Sequence, residues 1–135
     1  MNIKRTAIAV VVIVIAQGIF FAILPPLFPA QYGALFERFR TDLQTPPYIV
    51  AIMLGYLVTV ILACFIFIKG YENKGLAEGA RFGLVIGALL ASAEWFHAIM
   101  FPLPLYFAVL TVVDTVIVWI ISGLILAVIC KPEES

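Results

Sequence analysis

Four long apolar runs dominate this chain of 135 residues and leave little sequence for anything else. They cover about residues 6–24, 48–68, 79–100 and 105–129. Each run has roughly the 20 residues that an α-helix needs to cross the hydrocarbon core of a bilayer. We therefore predict an all-α fold, a four-helix transmembrane bundle that forms a single integral membrane domain over residues 1–135.

The composition excludes several classes of function. Hydrophobic residues make up 64% of the chain and charged residues only 12%, whereas a soluble domain carries about 25% charged residues. The formal net charge is zero, so no bulk basic surface indicates nucleic acid as a partner. Cys64 and Cys130 form no C-x-x-C motif, and we expect neither a thiol–disulfide enzyme nor a zinc site.

The first apolar run follows Lys4 and Arg5, an arrangement that is also typical of secretory signals. The apolar part of a signal is about 7–15 residues long, and this run is longer. We therefore interpret it as an uncleaved membrane anchor.

Residues 25–47 form the one substantial loop, and prolines at both of its ends make helix continuation there improbable. Inside the loop, apolar side chains recur with helical spacing opposite charged ones. These apolar residues are Tyr32, Leu35, Phe36, Phe39 and Leu43. The pattern predicts an amphipathic interfacial helix over about residues 30–43. Two interpretations remain open: a connector that rests on the lipid, or a lid or docking surface over the outer mouth of the bundle.

Lysine and arginine decide the predicted orientation. Four spans place the N-terminus, the second loop and the C-terminus on one side of the membrane. That side carries Lys4, Arg5, Lys69, Lys74, Arg81 and Lys131. The other side carries Arg38 and Arg40. Because basic residues accumulate on the cytoplasmic side, we predict that both termini are cytoplasmic.

Small residues recur at every fourth position in two of the runs. In the third run they are Gly79, Gly83, Gly87 and Ala91, and in the second they are Ala51, Gly55, Thr59 and Ala63. Small residues let helix backbones approach closely inside a membrane. We therefore predict that spans two and three pack face to face.

Polar residues near the outer end of the third run share its small-residue face. At about 100° per residue, Glu94 lies roughly 20° from Gly83 and His97 roughly 40° to the other side. Counting inward at 1.5 Å per residue places several polar groups about 9–15 Å below the outer boundary, with His97 one turn shallower. The sequence thus predicts an intramembrane polar cluster of Glu94, His97, Asp114, Gln17 and Tyr56.

This polar cluster has two interpretations. An ionised carboxylate near the bilayer centre costs about 2.5–3.5 kcal/mol, so Glu94 and Asp114 require a role. They form either a structural clamp that fixes the register of the helices or an ion-coupling site. In the second case Glu94 binds and releases a proton or cation, Asp114 is the second carboxyl and His97 is a relay.

The sequence contains fragments of metal and nucleotide motifs. Glu94-x-x-His97 is half of a di-iron carboxylate motif. With a single histidine, only a homodimer could complete that site, and a haem would likewise need a ligand from another subunit. The Gly75-x-x-x-Gly79 fragment follows no strand and lacks the Gly-Lys-Ser/Thr ending of a phosphate loop. We therefore expect no metal, no cofactor and no catalytic residues.

Residues 69–83 read KGYENKGLAEGARFG and lead into the glycine-striped span, and the last span combines Asp114 with Ser122-Gly123. In these features the chain resembles a family of small four-span bacterial inner-membrane proteins of unknown function. The resemblance implies a multi-pass protein of the bacterial inner (plasma) membrane and brings no known activity. The layout is also similar to that of the small multidrug resistance transporters, which have four short spans and work as dimers. The essential glutamate of that family lies in the first span, where this chain offers Gln17.

We expect a non-catalytic scaffold or accessory subunit rather than an enzyme, since no nucleophile–base pair is visible. Four spans leave much helix surface for a homo-oligomer or a larger membrane complex, and the small-residue stripes provide packing faces. The alternative is a small proton-coupled transporter that uses Glu94 and Asp114.

Overall fold

A computed structural model of the chain describes residues 3–37, 41–42, 44–100 and 104–130. The described residues form five α-helices and no strand. They are α1 (Ile3–Leu27), α2 (Pro29–Phe36), α3 (Pro46–Gly70), α4 (Leu76–Met100) and α5 (Leu105–Ile129). Four of them, α1, α3, α4 and α5, are long and apolar enough to cross a membrane. The predicted all-α fold with four spans is confirmed.

The four long helices extend beyond the apolar runs. Each has 25 residues, which corresponds to a length of about 37 Å. α1 includes Lys4 and Arg5 at its start and Pro25 and Pro26 at its end. The expectation that these two prolines end the helix is wrong. Each proline removes one backbone donor, but the Phe28 N–H still donates to the Leu24 carbonyl oxygen at 3.0 Å, so the helical path continues.

α5 is the central helix of the bundle. It packs along α4 over most of its length and also contacts α1, which in turn contacts α3. The buried core lies where these helices meet. Its larger members are Ile13, Val60, Cys64, Phe67, Trp119 and Leu126. The polar groups described below are therefore held chiefly by their relation to α5.

Glycines bring the backbones of α4 and α5 into contact. A Cβ atom on Gly83 would overlap the carbonyl oxygen of Trp119, and one on Gly123 would overlap that of Gly79. Further along, a Cβ atom on Gly87 would lie 3.0 Å from the Val116 Cα. We call this interface the α4–α5 seam. It has no room for side chains at these glycines, so only glycine permits the observed approach.

The predicted face-to-face packing of spans two and three is wrong. A Cβ atom on Gly55 would meet nothing within 4 Å, and the Thr59 hydroxyl donates to the Gly55 carbonyl oxygen of its own helix at 3.0 Å. α3 meets α4 through an edge-to-face contact of Phe67 with Phe82, whose ring centroids lie 5.0 Å apart. The glycines of α4 are already occupied by the backbone of α5, which leaves the stripe of α3 without a close partner.

The helix between spans one and two is shorter than predicted and covers eight residues. Tyr32 is buried, and its ring lies edge-on to that of Phe107 in α5 with centroids 6.5 Å apart. One face of α2 therefore packs on the bundle. The rest of the predicted interfacial helix includes Arg38, Phe39, Arg40 and Leu43, which lie outside the described residues, as does Lys131.

Candidate functional site

A cavity of about 380 Å³ lies beside α5, between the diverging walls of α3 and α4. We call it the Glu94 cleft. Its polar lining comes from all four spans and consists of Gln17, Tyr56, Thr59, Glu94, His97 and Thr115. Phe21, Leu90 and Trp119 contribute to its apolar lining. The cleft exists because α4 follows α5 and leaves α3 at this depth.

Gln17 is the polar side chain that ties the helices together. It is 1% exposed, and its Nε2 atom donates to the Ser122 hydroxyl at 2.7 Å. The Tyr56 hydroxyl donates to the Gln17 Oε1 atom, and Ser122 in turn donates to the Val118 carbonyl oxygen at 2.7 Å. We call Gln17, Tyr56 and Ser122 the Gln17 clamp. It joins α1, α3 and α5 with each polar atom in these contacts paired.

Glu94 reaches α5 from the far side of the cleft. Its Oε2 atom accepts a hydrogen bond from the Thr115 hydroxyl at 2.5 Å, within the range of charge-assisted O–H···O bonds. Glu94 is nonetheless exposed in the bundle. No lysine or arginine among the described residues forms an ion pair with it. The chain itself therefore supplies one hydroxyl to this carboxyl group and leaves it open to the cleft.

His97 lines the same cleft one turn further along α4. Its ring Nδ1 lies 2.8 Å from the Ala93 carbonyl oxygen of its own helix. This contact assigns the proton to Nδ1, because a carbonyl oxygen only accepts. The ring is exposed, and its Nε2 remains available as an acceptor.

Asp114 is buried and does not line the cleft. Its carboxylate accepts a hydrogen bond from the Tyr32 hydroxyl of α2 at 2.8 Å. Burial and the hydrogen bond to Asp114 raise the pKa of Tyr32, so its phenol keeps the proton that it donates. The neighbouring residue Thr115 points its hydroxyl to Glu94 instead.

The structure thus divides the five residues of the predicted polar cluster. Gln17, Tyr56, Glu94 and His97 line one cleft, whereas Asp114 pairs with α2. The sequence analysis missed the partners that complete these contacts. Thr115 and Ser122 lie on α5, where a polar edge around Asp114 is visible in the sequence. Tyr32 gave no such signal, because it belongs to the apolar face of an amphipathic pattern.

The polar interior of the described chain is internally satisfied. Within residues 3–37, 44–100 and 104–130, every buried side-chain nitrogen or oxygen atom of a residue that is not exposed has a hydrogen-bond partner. Over the same part of the chain, no group of three or more histidine, cysteine, aspartate or glutamate side chains is arranged to hold a metal ion. The arrangement therefore stabilises the positions of helices and leaves Glu94 as the carboxyl group that faces open space.

The turn between α3 and α4 contains a further carboxylate with a defined role. The Glu78 carboxylate accepts the backbone N–H groups of Glu72 at 2.6 Å and of Lys74 at 2.8 Å. Asn73 and Gly75 adopt positive φ angles of 61° and 77°, which direct these N–H groups toward the start of α4. Lys74 pairs with Glu72 in solvent, and this partner lowers the pKa of Glu72.

No family model matches this chain, and neither curated proteins nor solved structures give a match. The functional interpretation therefore rests on the geometry of the cleft and of the surfaces around it.

Proposed function

We propose that this protein is a non-catalytic scaffold or accessory subunit of a membrane assembly. In this proposal it is a homo-oligomer or part of a larger complex in the bacterial inner membrane. The observation that carries the proposal is the position of Glu94 in an open cleft inside the span region, where the chain provides a single hydroxyl partner.

The energetics of a carboxyl group in lipid favour a covered cleft. An ionised carboxylate at the bilayer centre costs about 2.5–3.5 kcal/mol on insertion scales. One hydrogen bond to a charged group offsets about 1.5–3 kcal/mol of such a cost. A second protein surface over the cleft would exclude acyl chains from Glu94 and add polar partners. Intramembrane carboxyl groups usually face other protein segments or water for this reason.

The remaining polar residues support a structural role. The Gln17 clamp is closed on itself, and Asp114 is closed by Tyr32. The two carboxyl groups do not share one cavity, as a direct relay between them would require. These contacts favour the interpretation of the polar layer as a device that fixes helix positions.

The distribution of basic residues supports the proposed orientation. Among the described residues, Lys4, Arg5, Lys69, Lys74 and Arg81 lie at or near the same end of the spans. Such an excess is typical of the cytoplasmic side. We therefore propose that both termini are cytoplasmic and that α2 lies on the opposite side.

One observation favours a second candidate, a small proton-coupled transporter that uses Glu94 and Asp114. The cleft brings Glu94 and His97 together with room for water. Thr115 hydrogen-bonds to Glu94 and is adjacent in sequence to Asp114, so protonation of one carboxyl group would be felt near the other. In this candidate function the cleft is one end of a proton path.

The mass of the native complex in mild detergent tests the subunit proposal. We expect a dimer or a larger species for the wild type. Ala93→Trp places a large side chain in the cleft and should convert the complex to a monomer. Ile15→Trp changes an exposed position of α1 that is 56% accessible and does not line the cleft, and it should behave as the wild type. A monodisperse wild-type monomer would contradict the proposal.

Flux measurements separate the second candidate from the first. Liposomes that contain the protein and an internal pH indicator are challenged with a proton gradient. The transporter requires a proton flux that Glu94→Gln removes while the variant retains its native mass. If the wild type shows no flux above empty liposomes, this second candidate is wrong.

A further inference from the structure

A second groove lies between α3 and α4, at the end where their connecting turn begins. It encloses about 320 Å³. Its walls are apolar, and its rim carries Glu78 and Arg81. We call it the Arg81 groove. Arg81 is thirteen residues before Glu94, about 20 Å along the helix, and the groove shares no lining residue with the Glu94 cleft.

Arg81 has no ionic partner within the described chain. Its side chain is exposed, and it forms no hydrogen bond or ion pair with any described residue. The neighbouring acid Glu78 does not satisfy it, because both Glu78 oxygens accept backbone N–H groups of the turn. The guanidinium group therefore presents its donors at the rim of the groove.

The other charges of this end do not compete for the same ligand. Lys74 is paired with Glu72 in solvent. The Lys69 ammonium lies over the ring of Phe65, 5.7 Å from its centroid. Both add positive potential near the groove without lining it. An anion that approaches this end of the spans meets Arg81 as the cation inside the groove.

The walls of the groove extend from Arg81 into the span region. Ile66 and Val85 line it and are 52% and 66% exposed. The rings of Phe67 and Phe82 close its floor, in edge-to-face contact with each other. The groove therefore combines one cation at the membrane boundary with an apolar channel that continues toward the bilayer interior.

We propose that the Arg81 groove binds an anionic glycerophospholipid of the surrounding bilayer. The guanidinium fork binds the phosphate oxygens of the headgroup, since its planar pair of N–H donors matches phosphate geometry. One acyl chain lies against Ile66, Phe82 and Val85. Basic pockets between transmembrane helices take such headgroups for the same reason. A soluble phosphate would leave the apolar walls uncovered, which is why the lipid is the ligand that fits both parts of the groove.

Native mass spectrometry of the detergent-purified protein tests this site. Equal amounts of phosphatidylglycerol and phosphatidylcholine are added, and the retained lipid is counted for each variant. We expect preferential retention of phosphatidylglycerol by the wild type. Arg81→Gln should lower it about tenfold or more, since hydrogen bonds between charged groups have this size. Lys74→Gln removes the same charge from the same turn and should change retention by less than about twofold.

Further arms remove the remaining explanations. Val85→Trp fills the groove at an exposed position without a change of charge, and it should also lower retention of phosphatidylglycerol. This variant tests the site even if Arg81→Gln does not fold. Inorganic phosphate at the same concentration should not displace the lipid. Ala93→Trp, in the Glu94 cleft, should leave retention unchanged, so this result is independent of the oligomeric state.

Three outcomes would overturn the proposal. The first is equal retention of both lipids by the wild type. The second is an equal loss in Arg81→Gln and Lys74→Gln, which indicates a diffuse surface charge. The third is displacement of the lipid by inorganic phosphate, because the apolar walls then make no contribution.

Discussion

The two sides of α4 are built from similar residues and pack in opposite ways. Toward α5, Gly79, Gly83 and Gly87 bring two backbones into contact. Toward α3, a cleft and a groove separate the helices, although α3 carries its own small residue at Gly55. A stripe of small residues thus permits close approach but does not choose the partner.

The physical reason lies in what drives helix association in lipid. Acyl chains are as apolar as leucine, so helices associate through van der Waals packing and interhelical hydrogen bonds. α5 offers α4 a backbone opening at Gly123, with the small residue Ala127 one turn further. α3 is held by a different interaction, the hydrogen bond from Tyr56 to Gln17. Packing thus positions α4, whereas a polar clamp positions α3.

The largest expected effect breaks the α4–α5 seam. Gly83→Ala places a methyl group against the Trp119 carbonyl oxygen and should lower the free energy of unfolding by about 3 kcal/mol or more. Gly55→Ala is the matched control in α3. Its methyl group meets nothing within 4 Å, so it should be neutral or stabilise by up to about 1 kcal/mol. Unfolding in mixed micelles of dodecyl sulfate measures both, and equal effects would contradict the difference between the two sides.

The second prediction concerns the clamp that holds α3. Ser122→Ala leaves the Gln17 Nε2 donor without its buried acceptor and should destabilise the bundle by about 1–3 kcal/mol. Ser92→Ala is the control, because the Ser92 hydroxyl is exposed and donates to the Leu89 carbonyl oxygen of its own helix. It should change the free energy of unfolding by less than about 0.5 kcal/mol. A loss in Ser92→Ala as large as that in Ser122→Ala would show that the clamp is not special.

The third prediction tests how α2 is held on α5. Tyr32→Phe removes the hydrogen bond to Asp114 and should lower stability by about 1 kcal/mol, the size of such bonds in membrane proteins. Tyr106→Phe, at an exposed position that is 51% accessible, should have no measurable effect. The comparison uses the same unfolding assay at neutral pH.

The same bond predicts a dependence on pH. The pKa of Tyr32 is raised in the folded protein, so the native state holds the phenolic proton more tightly than the unfolded state. The stability difference between wild type and Tyr32→Phe is therefore fully present at neutral pH. It should shrink as the pH rises above about 10, the ordinary pKa of tyrosine. A difference that grows with pH in this range would contradict the assigned donor.

The smallest expected effect lies in the turn that joins α3 to α4. Glu78→Gln loses one of two hydrogen bonds from backbone N–H groups and should lower stability by about 0.5–1.5 kcal/mol. Glu72→Gln removes an ion pair that lies fully in solvent and should have no measurable effect. Thermal unfolding of the two variants side by side checks this, and a larger loss in Glu72→Gln would reverse the assignment.

The spans were predictable because each is a long apolar run, and nothing but a helix satisfies its backbone in lipid. The partner of the glycine stripe was not, because a periodic pattern on one helix carries no information about the helix opposite. A signal was present in the small residues Gly123 and Ala127, four positions apart in the last span. Their competitor in the second span was longer and more regular, and it misled the prediction.

The candidate site was predictable in depth but not in rotation. Counting along each span placed Gln17, Tyr56 and Glu94 at one level, and all three line the cleft. Asp114 lies at a similar depth but on another side of α5, where α2 covers it. Its partner Tyr32 is 82 positions away in the chain, and only the packing of α2 brings the two together.

Disulfide cross-linking tests the central claim that α4 packs on α5 and not on α3. In a background of Cys64→Ala and Cys130→Ser, one pair is Gly87→Cys with Val116→Cys, and the other is Gly55→Cys with Ala91→Cys. A Cβ atom at position 87 lies 3.0 Å from the Val116 Cα, whereas one at position 55 meets nothing within 4 Å. Mild oxidation in membranes should link the first pair, which is within the reach of a disulfide, and leave the second reduced. Linkage of the second pair without the first would contradict the account.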